Sequence, residues 1–343
     1  MKKLWFNNKE LDRLAMLQQT EAEHSGINQA AIEKDWWVTV TLKALFQCAC
    51  SDSLTFKGGT SLSKGFNIIE RFSEDIDLSI SHSLFGIDRT TKNQREKLRK
   101  MARAYIHNTL STQLDYNLKK MGIAGYRIEN VTHTQGKNGE WCTIDSDKDP
   151  TIILLHYPSI VEETIEYVPP RVKIEFSSLS MDEPTALRNI HSLIEDSFEG
   201  EDIDACYKVR TVLPTRTFLE KIFLLALAEE FQKESPRSVR MSRHLYDLEK
   251  LMDTQYGHEA LSDINLYNSI VEHRRAYYAL KYVNYDLHYP NTINFIIPKK
   301  EMKAWSDDYT KMRNPFFFGK SLEFEELMQR MKELLKRVRA LSD

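Results

Sequence analysis

The stretch Phe56-Lys57-Gly58-Gly59-Thr60-Ser61-Leu62-Ser63-Lys64, followed by Arg71-Phe72-Ser73-Glu74-Asp75-Ile76-Asp77-Leu78-Ser79-Ile80, decides how the chain is read. Leu54 to Phe56 is short and apolar, and Gly58-Gly59 marks a turn. Thr60/Ser61 stands where a helix cap belongs, ahead of Leu62, Phe66, Ile68 and Ile69. A strand that turns through two glycines into a helix presents bare backbone N–H groups at the positive end of the helix dipole, and that end attracts phosphate. The run has a superficial likeness to a Walker A loop. The order Ser63-Lys64-Gly65 lacks both the glycine before the lysine and the hydroxyl after it, which argues against a P-loop.

Asp75 and Asp77 alternate with apolar Ile76 and Leu78, so in a strand the two carboxylates share one face while their neighbours pack inward. Adjacent carboxylates repel unless a cation lies between them, and hard oxygen donors suit Mg²⁺ or Mn²⁺. Taken alone, the pair reads as the solvent face of a half-buried strand; joined to the glycine turn upstream, it reads as a phosphate and metal site. A two-metal phosphoryl site needs a further carboxylate. The candidate is Glu175 in Arg171-Val172-Lys173-Ile174-Glu175-Phe176-Ser177, where alternation by itself describes an ordinary surface position.

Working outward, Asn8 to Gln47 has helical periodicity broken at Ser25-Gly26. Between about Ser53 and Ser178 the pattern changes to short β-like runs at Leu54–Phe56, Ile76–Ile80, Thr151–His156 and Val172–Phe176, with a charged amphipathic helix over Lys92–Leu114 and an exposed hairpin or loop over Gln135–Asp149. The charge on Lys92–Leu114 reads as a solvated helix face. Acidic Glu195–Asp204 with Gly200 is an expected hinge, and from Thr217 onward the chain is helical again, ending in a helix over Glu323–Leu341. The expected domains are N-terminal helices over 1–50, an α/β core over 51–205 and a helical domain over 206–343.

The chain has 343 residues, and 47 Lys+Arg against 50 Asp+Glu give a net charge of −3, so a globally basic nucleic-acid coat is excluded while local patches are not. One such patch is Lys233–His244, with Lys233, Arg237, Arg240, Arg243 and His244 against Glu234; it reads equally as a solvated loop or as a seat for an RNA backbone. Cys48, Cys50, Cys142 and Cys206 form no CxxC pair, and the histidines show no HExxH. No apolar run approaches the ~20 residues of a membrane span, and no secretory signal is evident. The expected setting is the cytoplasm.

Gly58-Gly59-Thr60-Ser61 with Asp75-x-Asp77 resembles the signature of the DNA polymerase β-like nucleotidyltransferase superfamily. The wider string FKGGTSLSK…RFSEDIDLSI is similar to the AbiEii/AbiGii toxin family within it. The likeness extends to Ile32-Glu33-Lys34-Asp35-Trp36-Trp37-Val38, Arg216-Thr217-Phe218-Leu219-Glu220-Lys221, Ser242-Arg243-His244-Leu245-Tyr246-Asp247-Leu248 and Ala304-Trp305-x-x-Asp308-Tyr309-x-x-Met312, about residues 30–335. Leu219 stands where the family often has Trp, a change in the core rather than in the chemistry.

The resemblance implies an α+β fold: a small mixed sheet of the polymerase β-like type flanked by helices, with a C-terminal helical domain. It also implies transfer of a nucleoside monophosphate from an NTP to an acceptor. Asp75, Asp77 and Glu175 would hold Mg²⁺ or Mn²⁺, with Glu175 helping to activate the attacking hydroxyl. Gly58, Gly59, Thr60 and Ser61, with Lys64 and Ser73, would hold phosphates. Lys221 would neutralise the triphosphate, Asp247 would orient Lys221 or the nucleotide, and Arg243 would meet a phosphate. Read without the family, Lys221 edges an apolar stripe, and Arg243 and Asp247 form an i,i+4 pair. The expected role is the toxin of a type IV-like toxin–antitoxin or abortive-infection pair acting on RNA such as tRNA, with a possible antitoxin partner and no membrane. The alternatives are a non-catalytic nucleotide- or RNA-binding module of the same fold, and an enzyme modifying a protein or small molecule.

Overall fold

The computed structural model describes residues 4–24, 26–87, 91–136, 138–162, 169–181, 183–200, 202, 207–231, 239–280 and 283–341. The chain divides into two compact units: the first holds Met1–Gly65 and Phe72–Thr211, the second Phe66–Arg71 and Val212–Asp343.

In the first unit, α1 (Glu10–Glu23) and α2 (Gln29–Leu45) precede β1 (Leu54–Lys57), the short α3 (Gly58–Lys64) and β2 (Asp75–Ile80). Next come α4 (Lys92–Tyr105), a π-helical turn, α5 (Ser111–Lys120), β3 (Arg127–Asn130), β4 (His133–Gln135), β5 (Trp141–Thr143), β6 (Thr151–His156), β7 (Arg171–Ser177), β8 (Thr185–Ile190), α6 (Leu193–Ser197) and β9 (Tyr207–Val212). Seven strands form one mixed sheet in the order β3-β6-β7-β2-β1-β9-β8, and β4 and β5 form a separate ribbon. The expected α+β class with a small mixed sheet is what the chain adopts.

Alternation decides the faces. Phe56, Ile76, Leu78, Ile174 and Phe176 are wholly buried, and α2 packs against β2 and β7. Nearly all of α2 is buried, including Glu33, Lys34 and Asp35, and each of these three charges has a partner. Lys34 Nζ lies 2.5 Å from Glu74, Lys64 Nζ 2.6 Å from Asp35, and Glu33 accepts from the Ser159 hydroxyl and the Ile160 N–H. A buried charge without such a partner would cost several kcal/mol.

The second unit contains α7 (Pro214–Phe231), α8 (Ser242–Leu251), α9 (Gln255–Ala260), α10 (Ile264–His273), α11 (Met302–Phe316) and α12 (Phe324–Arg339). Asp308 on α11 accepts from the Arg240 and Ser242 N–H groups at the start of α8, at 2.6 and 3.1 Å, an anion placed at a helix N-terminus. Trp305, Tyr309 and Met312 are buried, so the segment Ala304–Met312 is read by the fold as a packing face with one cap.

Two local expectations change. The helix after the glycine turn starts at Gly58 rather than at Thr60, and it stops at Lys64. Asn67 takes a left-handed φ of 53° and Phe66–Arg71 joins the second unit, so Phe66, Ile68 and Ile69 are not part of that helix. The Glu195–Asp204 stretch is pinned rather than hinged where described: Glu195 accepts from the Gly200 and Asp202 N–H groups, and buried Asp202 accepts from the Trp5 N–H and Trp36 Nε1. Residues 233–238, half of the Lys233–His244 patch, lie outside the described residues.

Candidate active site

On the sheet face opposite α2, the strand register sets chemistry-bearing side chains in rows. Asp77 pairs with Lys57 of antiparallel β1 on one side and with Glu175 of parallel β7 on the other, and Asp75 pairs with Lys173. Registered partners share a face, so Asp75, Asp77 and Glu175 all point to the same side of the sheet. All three are half-buried.

The glycine turn presses directly on this row. Gly58 has φ +82°, and a Cβ there would sit 2.0 Å from Asp77 Oδ2, so a side chain is excluded both by backbone conformation and by the carboxylate. The Thr60 hydroxyl donates to the Asp75 carbonyl at 2.5 Å and is hydrogen-bonded to the Ser73 hydroxyl at 2.9 Å, while the Ser61 hydroxyl donates to the Gly58 carbonyl at 2.9 Å. These hydroxyls brace the turn against β2.

Lys64 is directed elsewhere: its ammonium, 8% exposed, meets Asp35 and the His191 carbonyl. Lys57 donates to the Ser180 hydroxyl at 2.8 Å. Alongside Thr55 and Ser79, the next rung of the same face, a polar cavity of about 190 Å³ is lined by Ser53, Ser180 and Arg210 among others.

Lys173 forms an ion pair with Glu175. Burial works to lower the pKa of its ammonium, but Glu175, with Asp75 and Asp77, raises it above the ordinary value, so this lysine stays charged within the acidic face. Among the described residues no group of three or more His, Cys, Asp or Glu gathers closely enough to hold a metal ion. Asp75 and Asp77 nonetheless offer what Mg²⁺ takes in phosphoryl sites, one or two carboxylates with water and phosphate oxygens filling the remaining positions. The donor set fits a cation with an open shell rather than a closed cage.

The second unit holds a different arrangement. Asp247, fully buried on α8, accepts from Arg71 Nε at 2.6 Å and from the Arg71 guanidinium again at 2.8 Å, and Lys221 Nζ of α7 lies 2.8 Å away. Burial alone would raise the Asp247 pKa, but Arg71 and Lys221 hold it well below the usual carboxylate range. Lys221 is pulled below its ordinary value mainly by burial, opposed by Asp247 and reinforced by Arg71 and Arg243. His244 is pushed far down by burial and then by Lys221 and Arg243, which keeps its ring neutral at physiological pH. Two cations thus close on one carboxylate, with Arg243 near enough to act on both Lys221 and His244.

Residues 41–330 match the family described as nucleotidyl transferase AbiEii toxin, type IV TA system. The chain belongs to the AbiEii family. No curated protein matches the chain. Membership in the AbiEii family makes the chain a nucleotidyl transferase toxin of a type IV toxin–antitoxin system, and such a system implies a cognate antitoxin. No helix among the described residues is long and apolar enough to cross a membrane.

The matched span runs from within α2 to within α12 and so includes both clusters. Sequence reasoning did not assign Arg71, although it stands in the quoted motif, nor Lys173, which lies two residues before Glu175. The available signal for Lys173 is a basic residue two positions before Glu175, on the same face of the strand; Arg71 has none, because its partner lies 176 residues away.

Proposed function

We propose that this AbiEii-family protein transfers a nucleoside monophosphate from an NTP to a hydroxyl of an RNA acceptor such as tRNA, with release of pyrophosphate. The carrying observation is the register that sets Asp75 and Asp77 beside Glu175 on one sheet face, against the tight turn at Gly58. Mg²⁺ or Mn²⁺ bound by Asp75 and Asp77 would supply charge neutralisation at the reacting phosphate.

The Gly58-Gly59 turn offers backbone N–H groups to the phosphates, with Thr60, Ser61 and Ser73 keeping that turn rigid. Glu175, oriented by Lys173, accepts the proton of the attacking hydroxyl. The acceptor oxygen forms its bond to the α-phosphorus as the bond to pyrophosphate breaks. Lys221 and Arg243 are assigned a charge-neutralising role in the reaction, and Asp247 holds Lys221 in place. Phosphoryl transfer rests on positioning and charge stabilisation, so each of these groups has work of the required kind.

The test is incubation with radiolabelled NTPs, Mg²⁺ and total tRNA. Label should enter RNA, and Asp75→Ala should lower the rate by about a thousandfold or more, the scale of several kcal/mol of transition-state stabilisation. The same variant should relieve growth arrest on overexpression. Absence of label in any acceptor, beside a working control enzyme of the same fold, would remove the proposal.

A further inference from the structure

The β4–β5 ribbon stands apart from the seven-stranded sheet, and every residue of its two strands is exposed. Its register pairs Gln135 with Trp141 and His133 with Thr143, so these four side chains share one face. Trp141 is 69% exposed, whereas Trp5, Trp36, Trp37 and Trp305 are at most 1% exposed. This indole contributes almost nothing to a core, and an isolated two-stranded ribbon is marginal by itself.

What holds the ribbon is α4. Buried Arg103 donates to the carbonyls of Asp145 and Val131, one on each leg, at 2.9 and 3.4 Å. Arg95, Arg99 and Arg103 are spaced i, i+4 and i+8, one continuous stripe that leads along α4 to the ribbon's root. Arg99 Nε is buried without a hydrogen-bond partner among the described residues. Lys92, Lys97 and Lys100 are exposed on the same helix, whose one acid is Glu96.

The other foot reaches the candidate active site. Asp149 accepts from the Ser177 hydroxyl at 2.8 Å and from the Ser178 N–H at 2.9 Å, and Ser177 follows Glu175 by two residues on the same face of β7.

We infer that the ribbon and α4 form the seat for an unpaired segment of the RNA acceptor, an inference that rests on the proposed RNA acceptor and adds where that RNA is held. A base stacks on Trp141, Gln135 and His133 meet its edge, and the backbone phosphates follow the cations of α4. Unstacked bases are what exposed aromatics recognise, and cations beside them track the backbone. A protein partner would call for a contiguous apolar patch around the indole; here its neighbours on that face of the ribbon, Gln135, His133 and Thr143, are polar.

The experiment uses the full chain with neither NTP nor divalent cation, and a short single-stranded oligoribonucleotide of mixed sequence as the probe. Binding should shield Trp141 from acrylamide quenching. Trp141→Ala should weaken affinity about tenfold, on the scale of one base-stacking contact. The double variant Lys97→Glu/Lys100→Glu should weaken it too and flatten its dependence on salt.

Unchanged affinity in Trp141→Ala overturns the inference, as does binding that leaves Trp141 as quenchable as before; the latter would hand the surface to a protein partner. Equal affinity for duplex RNA also overturns it. Should Trp141→Ala melt lower than the parent, Trp141→Phe must restore binding, and failure to do so counts against the stacking role. Because no nucleotide is present, loss of binding speaks against the surface alone, while binding without label transfer in the assay above speaks against the activity alone.

Discussion

Asp202 in the first unit and Asp247 in the second are the same residue type, each 0% exposed, and their carboxyls are shifted in opposite directions. Asp202 accepts from neutral donors, the Trp5 N–H, Trp36 Nε1 and the Ser192 hydroxyl, and burial pushes its pKa up to about 6. Asp247 is desolvated too but faces Arg71 and Lys221, and it is driven down instead. Burial sets the size of the penalty; the charge of the partner sets the sign. The half-buried Asp75 and Asp77 are a third case, in which like charges crowd one face and the Lys173 ammonium answers them.

The sharpest way to break the comparison is Asp247→Asn. Removing one member of a buried cluster leaves Arg71 and Lys221 facing each other without their counterion, and we expect a loss of about 3–5 kcal/mol, read as a lower denaturation midpoint. Asp247 has a depressed folded pKa, so its contribution is fully present above the unfolded value near pH ~4 and fades only as the pH falls further. The deficit of the variant should therefore be constant from about pH 5 to 8. A deficit that shrank toward neutrality would contradict the assignment.

Lys221→Met should cost less, at most about 1.5–3 kcal/mol, since it removes one charged hydrogen bond while Arg71 keeps its two contacts with Asp247. A loss equal to that of Asp247→Asn would mean that the two cations are not redundant. The same variant should abolish nucleotidyl transfer if Lys221 serves that charge-neutralising role.

The smallest effect is expected from Asp202→Asn, a loss of about 1 kcal/mol at pH ~4. Here the folded pKa is raised, so the contribution is fully present below the unfolded value near pH ~4 and is lost as the pH rises through about 6. The parent should lose stability across that window, and the variant should show a flatter profile in urea melts taken at several pH values.

What the sequence made legible was local. β1, β2, β6 and β7 were read within about a residue of their ends, because alternation of apolar and polar side chains is a property of neighbours. β8 escaped because its outward positions are exposed and its pattern is weak, and β3 is short and partly exposed. The glycine turn and the aspartate pair were visible for the same local reason.

Contacts across the chain left no such trace. The resemblance assigns Lys64 to phosphate, yet its ammonium is matched to Asp35, a residue whose own buried partner no nearby pattern reveals. The Thr60 and Ser61 hydroxyls, which the resemblance assigns to phosphate, also secure the loop that carries them, a contact no local pattern announces. Arg71 carries no local sign of its role, because its partner lies in a helix more than half the chain away.

Phe66–Arg71 belongs to the second unit although residues on both sides of it belong to the first. A gene cut between Thr211 and Val212 would therefore not divide the protein into its parts. The C-terminal fragment would carry Asp247 and Lys221 without the guanidinium that completes their cluster, and the N-terminal fragment would keep Arg71 with nothing to bind. Dissection, domain exchange and tag placement in this protein have to treat six residues near position 70 as cargo of the distal half.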